Sequence, residues 1–228
     1  MAHRIDLNAI PATDRQQLVD LMLDYLTDEV IAQHMNIVHS GVDFFTGHRV
    51  YLGAMETWLA ANGAAQFVPL PEWVPSNPIP AEFDVVKAPR PALQNLNPNM
   101  PPPPQFAFPS VCSTLTLQEL SDAVNPWHGS VHVTIGGAMG NLMDAPAAPI
   151  FWCWHAYLDD IYFDWESCRN AGQGDHEEPD KGEAGYEQRK REYEERSRYW
   201  SEQHVDEHTT FEDLAKDYDR MRQLTYAH

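Results

Sequence analysis

Thirteen of the chain's 18 prolines fall between Pro69 and Pro109, including the run Pro101 to Pro104. Proline fixes φ and has no amide proton to donate, so this density forbids long helices and central strands over residues 64–112. The stretch is read as an extended loop wrapped over helices, with one short strand near Phe67-Val68. On its N-terminal side Thr13-x-x-Gln16 has the form of a capping box. Leu18, Met22, Tyr25, Leu26 and Val30 follow at helical spacing, which predicts a helix to about His34. A second helix is predicted from Thr46 to the stop signal Asn62-Gly63. On the C-terminal side, a third helix starts near Thr116 and ends before Pro126. A fourth carries His128 and His132 and ends at Gly136-Gly137. A fifth opens at Pro149, a residue that suits a first helical turn, and runs past Trp165. The expected fold is mainly α: a four-helix bundle with long proline-rich loops over residues 1–169.

The composition shifts at Asn170. Residues 170–185 are polar and contain glycine, as a linker would. Residues 186–203 read as a charged helix interleaved with Tyr186, Tyr193, Tyr199 and Trp200. An ordinary solvated helix rarely exposes that many aromatics. Residues 170–228 are therefore expected to be an arm that packs on the bundle or in a homo-oligomer interface, or a lid over the site. The net charge of −19 argues against nucleic acid or an anionic membrane as partner. No segment has the ~18 consecutive apolar residues of a membrane span. The N-terminus lacks the apolar core of a signal peptide. Cys112, Cys153 and Cys168 leave one cysteine unpaired in any scheme and show no short metal-type spacing. A reducing, cytoplasmic setting is the resulting expectation.

The histidines carry the chemistry. His128-x-x-x-His132 places two imidazoles on one helix face, where they can share an ion. His155, on the following helix, completes a three-imidazole set. His34, His39 and His48 form a second possible set upstream. Two such triads in one small domain point to a pair of metal ions. Imidazole suits copper, zinc, iron and nickel alike, so donor type alone leaves the metal open, a zinc protein included. His204-Val205-Asp206-Glu207-His208 fits the inverted zinc-protease pattern, but its polar flanks do not make the buried helix that pattern needs.

Both blocks resemble those of the type-3 copper proteins: tyrosinases, catechol oxidases and molluscan-type haemocyanins. The similarity is close from Pro126 to Trp165, through His128-x-x-x-His132, Ile135-Gly136-Gly137-x-Met139 and Pro149-Ile150-Phe151-Trp152-x-x-His155-x-x-x-Asp159. It continues from His39 to Leu59, through the spacing of His39 to His48 and the run Phe44-x-x-x-His48-Arg49-x-Tyr51-Leu52. Leu70-Pro71-Glu72-Trp73 looks like a degenerate form of the short Pro-Tyr-Trp segment that follows the first block. The resemblance covers roughly residues 15–168. It implies two copper ions, one held by His34, His39 and His48 and one by His128, His132 and His155. It implies dioxygen and a phenolic small molecule as substrates, with monophenols, o-diphenols or o-aminophenols oxidised to quinones or quinone imines. The alternatives within the resemblance are a catechol oxidase without useful hydroxylase activity and a haemocyanin-like oxygen carrier. The C-terminal 60 residues are short for the covering domain of such carriers, which favours the enzyme.

The resemblance also implies outer roles. Arg49 and Asp159 would form an ion pair joining the two metal helices. Glu119, nine residues before His128, matches a glutamate that fixes a water for phenol deprotonation in strong hydroxylases. Thr116-x-x-Glu119 is equally a capping box, which calls for glutamate there on local grounds. The asparagine that usually partners that water is replaced by Gly129. Leu142 matches a gate above the metals, or is a core leucine. The family usually shows two adjacent histidines where this chain has Trp154-His155.

Overall fold

The structure, a computed structural model, describes residues 4–37, 39, 43–101 and 116–171, with side chains described as far as Ser167. It is helical: α1 (Ala12–Tyr25), the short α2 (Asp28–Ala32), α3 (Asp43–Ala61), α4 (Leu117–Ile135) and α5 (Pro149–Ala171). The four longer helices form the bundle expected from the sequence. The arm at 186–203, the pattern at 204–208 and the linker before them lie outside the described residues.

Several boundaries differ from expectation for local reasons. The Thr13-Gln16 box does not form; Pro11 is the N-cap and makes no side-chain cap bond. The first helix stops at Tyr25 rather than His34 because Thr27 starts a new one. Its side chain accepts from the Val30 amide, and Asp28 and Glu29 fill the first turn. The chain then tightens into a 3-10 turn, Gln33–Asn36, which carries His34. The expected third and fourth helices are one helix, α4, with Pro126 inside it. A single proline removes one backbone bond, and the elements around it keep the helix continuous. Phe67-Val68 is not a strand: Ala65–Phe67 is a 3-10 turn. The β-type pairing among the described residues is one isolated parallel bridge between Asp6 and Glu72.

Helix α5 is the centre of the core. Its seven residues Ile150 to Ala156 are all at most 1% exposed, so no face of this segment meets water. Helix α3 packs along it through Phe44, Phe45, Tyr51, Leu52, Met55 and Leu59, all buried. The proline-rich segment covers another side. Its amides reach the helices at Trp73 (to Cys153 O, 2.9 Å), Lys87 (to Ala147 O, 2.9 Å) and Gln94 (to Ile135 O, 3.1 Å). A loop poor in donors is thus fastened by the few amides it retains.

That loop meets α4 where the helix ends. Gly136 and Gly137 have φ of +67° and +61°, and a Cβ on Gly137 would lie 1.9 Å from the Ala92 carbonyl oxygen. Neither the backbone conformation nor the space admits a side chain. Gly137→Ala is expected to cost at least about 1–3 kcal/mol, read as a lower midpoint of urea unfolding; an unchanged midpoint would contradict this packing.

A buried cation ties the N-terminal segment to the bundle. The Arg4 side chain is 8% exposed and lies 2.6 Å from Glu56 of α3 and 2.7 Å from Asp159 of α5. It also donates to the Leu70 carbonyl at 3.0 Å, and its backbone N–H donates to Asp160. Arg4→Ala removes the cation shared by the part-buried carboxylates of Glu56 and Asp159, of which Asp159 keeps Arg49; a fully buried pair costs about 3–5 kcal/mol to break, and a smaller loss is expected here. Arg4→Lys is expected to recover only part of the loss, because a point ammonium cannot reproduce the fork. Equal thermal stability of the alanine variant and the parent would show the pairing to be inconsequential.

Candidate metal centre

Six imidazoles meet at the junction of α3, α4, α5 and the segment before α3. His34 comes from the 3-10 turn and His39 from just beyond it. His48 is on α3, His128 and His132 on α4, and His155 on α5. His34, His48, His128, His132 and His155 are buried, and His39 is half-buried.

Their Nε2 atoms converge. His34 Nε2 is 3.0 Å from His39 Nε2 and 3.4 Å from His48 Nε2. His128 Nε2 is 2.9 Å from His132 Nε2 and 3.0 Å from His155 Nε2. Two sets have ligand atoms all within 4.8 Å of one another: His34, His39 and His48, and His48, His128 and His155. His48 therefore belongs to both. It stacks on His155 with ring centroids 4.4 Å apart, and this contact joins the two groups. His132 reaches the second group through His128. An imidazole–metal bond of about 2.0–2.1 Å sets two ligands on one ion roughly 3.3 Å apart, close to the separations seen.

The other ring nitrogens explain why the Nε2 atoms point inward. Nδ1 donates to a main-chain carbonyl in five rings: His34 to Leu142 (2.9 Å), His39 to Ile37 (2.7 Å), His48 to Phe44 (2.7 Å), His132 to Met139 (2.9 Å) and His155 to Phe151 (2.8 Å). A neutral imidazole carries one proton. With that proton at Nδ1, each Nε2 presents a lone pair. Lone pairs facing one another at 3.0–3.4 Å, as at His34, His39 and His48, repel unless a cation lies between them. The donor set fits metal ions, and the carbonyls supply the outer support that fixes ligand tautomer and orientation.

Electrostatics agree. Burial holds all six imidazoles below their usual range, His39 down to about 4 and His132 to about 3. For His34, His48, His128 and His155 burial is the larger cause and neighbouring imidazoles add to it. At neutral pH all six are neutral donors. No carboxylate or thiolate joins either converging group among the described residues, which disfavours hard cations such as magnesium or calcium.

Around this cluster runs a charged frame. Arg49, next to His48, places Nε 2.5 Å from Asp159 and Nη1 2.6 Å from Glu166. Its guanidinium lies over the Tyr162 ring at 4.1 Å. Asp159, one turn beyond His155, is shared between Arg49 and Arg4. The Arg4 contact carried no signal in the sequence, since a lone arginine in an N-terminal segment names no partner.

Two expected site residues make structural contacts. Glu119 is exposed and closes the capping box. It accepts from the Thr116 N–H at 2.7 Å and hydroxyl at 2.9 Å, while its own N–H donates to Thr116 Oγ1. These donors hold its carboxyl below the usual range. Of the two readings of Glu119, the structure shows the capping box. Leu142 is 1% exposed and packs in the core. What reaches the histidines is its carbonyl, bonded to His34, and main-chain atoms leave no mark in residue type. Gly129 has nothing within 4 Å of where a Cβ would stand, so open space adjoins His128.

Residues 106–168 match the family described as the common central domain of tyrosinase. A tyrosinase of Streptomyces glaucescens is 43% identical over 47 residues, which is 21% of this chain and 16% of that protein. The chain thus spans about one sixth of the curated relative it matches. No solved structure matches. The family match contains His128, His132, His155 and Asp159. His34, His39 and His48 lie outside it and are joined to the others by the geometry above.

Proposed function

We propose that this chain, a member of the type-3 copper tyrosinase family through its central domain at residues 106–168, is a dicopper oxidase of o-diphenols and o-aminophenols. The observation that carries the reading is the convergence of six Nε2 lone pairs, five of them set by Nδ1 bonds to carbonyls. His34, His39 and His48 would hold one copper, and His128, His132 and His155 the other. Bound there, the copper pair supplies dioxygen binding and two-electron oxidation.

The protein's part is to present six neutral donors in a dry pocket, with Arg49 and Asp159 locking α3 against α5. Phe44, buried with its ring 5.0 Å from His128, packs against that imidazole. An o-diphenol gives up two electrons and two protons to become an o-quinone. Two such oxidations reduce one dioxygen to two waters.

The placement of Glu119 favours the catechol-oxidase alternative over strong monophenol hydroxylation. A monophenol must lose its hydroxyl proton to bind as phenolate, and general-base help needs a group within reach. With Glu119 capping α4 and glycine at 129, neither of the expected helpers is at hand. Glu119→Gln keeps the cap, since glutamine serves a capping box, and is expected to leave the ratio of monophenol to diphenol turnover unchanged. Glu119→Ala should lower thermal stability without altering that ratio. A selective loss of monophenol turnover in both variants would restore the water-positioning role. The primary test is oxygen uptake by copper-loaded protein with DOPA beside tyrosine. Fast uptake with DOPA and slow uptake with tyrosine is expected. Reversible oxygen binding without turnover would indicate a carrier, and one zinc per chain would end the dicopper reading.

A further inference from the structure

Trp154 stands where the resembled family usually has histidine, beside the metal-binding His155. It is fully buried, yet its indole N–H has no hydrogen-bond partner among the described residues. The other two fully buried indoles behave differently: Trp152 donates to the Pro146 carbonyl at 3.0 Å and Trp73 to that of Pro78 at 3.2 Å. Leaving a buried donor unmade costs about 1–3 kcal/mol, and buried tryptophans usually find a partner. Phenylalanine would fill most of the same space without that penalty. An unsatisfied group of this kind calls for another explanation, a redox role among them.

Its surroundings supply one. The Trp154 ring lies nearly parallel to His128, at 12° and 6.3 Å, and 6.4 Å from His155. On its other side it stacks on Tyr157 at 6.0 Å and meets Trp127 edge-on at 5.0 Å. Both are half-buried and so reach toward solvent. Tryptophan and tyrosine are the side chains most easily oxidised by one electron, and here they form an unbroken line from two metal-binding imidazoles to the surface.

We propose that Trp154 and Tyr157 form an electron relay that discharges the oxidised site when no phenol is present. The proposal rests on the dicopper reading, because the oxidant is the copper pair with its dioxygen. In each passage one electron goes from Trp154 to the site, and four passages with four protons drawn from water reduce one dioxygen to two waters. One electron goes from Tyr157 to Trp154, and the Tyr157 phenol releases one proton to water. The resulting tyrosyl radical is reduced at the surface by a one-electron donor of the enediol or thiol class, which returns one electron and one proton. The relay would spare the histidines, which otherwise face the oxidant alone.

The test uses the full chain with its copper content measured. Oxygenated without phenol and freeze-quenched, it should give a tyrosyl signal by electron paramagnetic resonance. Tyr157→Phe should abolish that signal, and Trp154→Phe should do the same. In both variants initial diphenol turnover and copper content should match the parent. Peptide mass spectrometry should show oxidised histidine accumulating faster in the absence of phenol, with ascorbate protecting the parent alone. Tyr157→Phe, at a half-buried position, keeps the test valid if the buried substitution impairs folding. Protein with two coppers and full turnover but no radical would overturn the relay alone. Protein that binds no copper pair would overturn the dicopper reading and the relay with it.

Discussion

Replacing His132 with alanine is expected to remove diphenol oxidation and to lower bound copper from two ions per chain toward one. The reason is geometric. His132 Nε2 sits 2.9 Å from His128 Nε2, with its ring aimed by the Met139 carbonyl. Loss of an outer partner of a metal ligand costs about 10–100-fold in affinity or activity. Loss of the ligand itself should exceed that, because two imidazoles and a cavity remain where three donors stood. His34→Ala should lower copper through the other group, while His3→Ala, at the N-terminal histidine that is the sequence's alternative to His34 as third ligand, should leave two ions bound. Elemental analysis of purified variants, paired with oxygen uptake, reads all three. Two coppers and near-parental turnover in His132→Ala would remove His132 from the site.

Metal-free protein should lose stability steeply as pH falls below about 6.5. The sign follows from the direction of the shifts. Burial depresses the imidazoles in the folded chain, His39 to about 4 and His132 to about 3, from an ordinary 6.5. Between those values the unfolded chain binds protons that the folded chain refuses, so stability rises with pH across the window and is lost as pH falls through it. Each unit of depression is worth about 1.4 kcal/mol, and the other four histidines shift the same way. Urea midpoints of metal-free protein measured from pH 7.5 to 4.5 should fall throughout. Bound copper should flatten the upper part of that curve, since ligation also favours neutral rings and stabilises by mass action. A pH-independent midpoint for the metal-free chain would mean that the histidines are not buried together.

Much of the fold was legible because it rests on local rules. Thr116 and Glu119 announce the start of α4, Gly136-Gly137 its end, and Pro149 the start of α5. The proline distribution foretold a long loop without strands of any length, and its single expected strand was the overreach. The break after Tyr25 was legible too, in Thr27-Asp28-Glu29, but hydrophobic periodicity running on to Val30 masked it. Pro126 misled in the opposite direction. One missing backbone bond is a cost that the contacts of a helix can outweigh, and a single sequence does not display those contacts.

The candidate site divides along the same line. Residue type and spacing pointed to the six histidines, because imidazoles at i and i+4 share a helix face whatever surrounds them. The family resemblance pointed to Arg49 and Asp159, on either side of the α3–α5 contact. Packing supplied the rest. Carbonyls of Leu142, Met139, Phe44, Phe151 and Ile37 orient the rings, and every residue has a carbonyl, so nothing in the order of residues marks these five. Arg4 finds Asp159 across 155 positions of chain, a distance over which one sequence carries no pairing information. Glu119 shows the converse. Its spacing from His128 fits a catalytic helper, and its spacing from Thr116 fits a cap. The structure shows the cap, and residue order alone does not give the direction in which a side chain points.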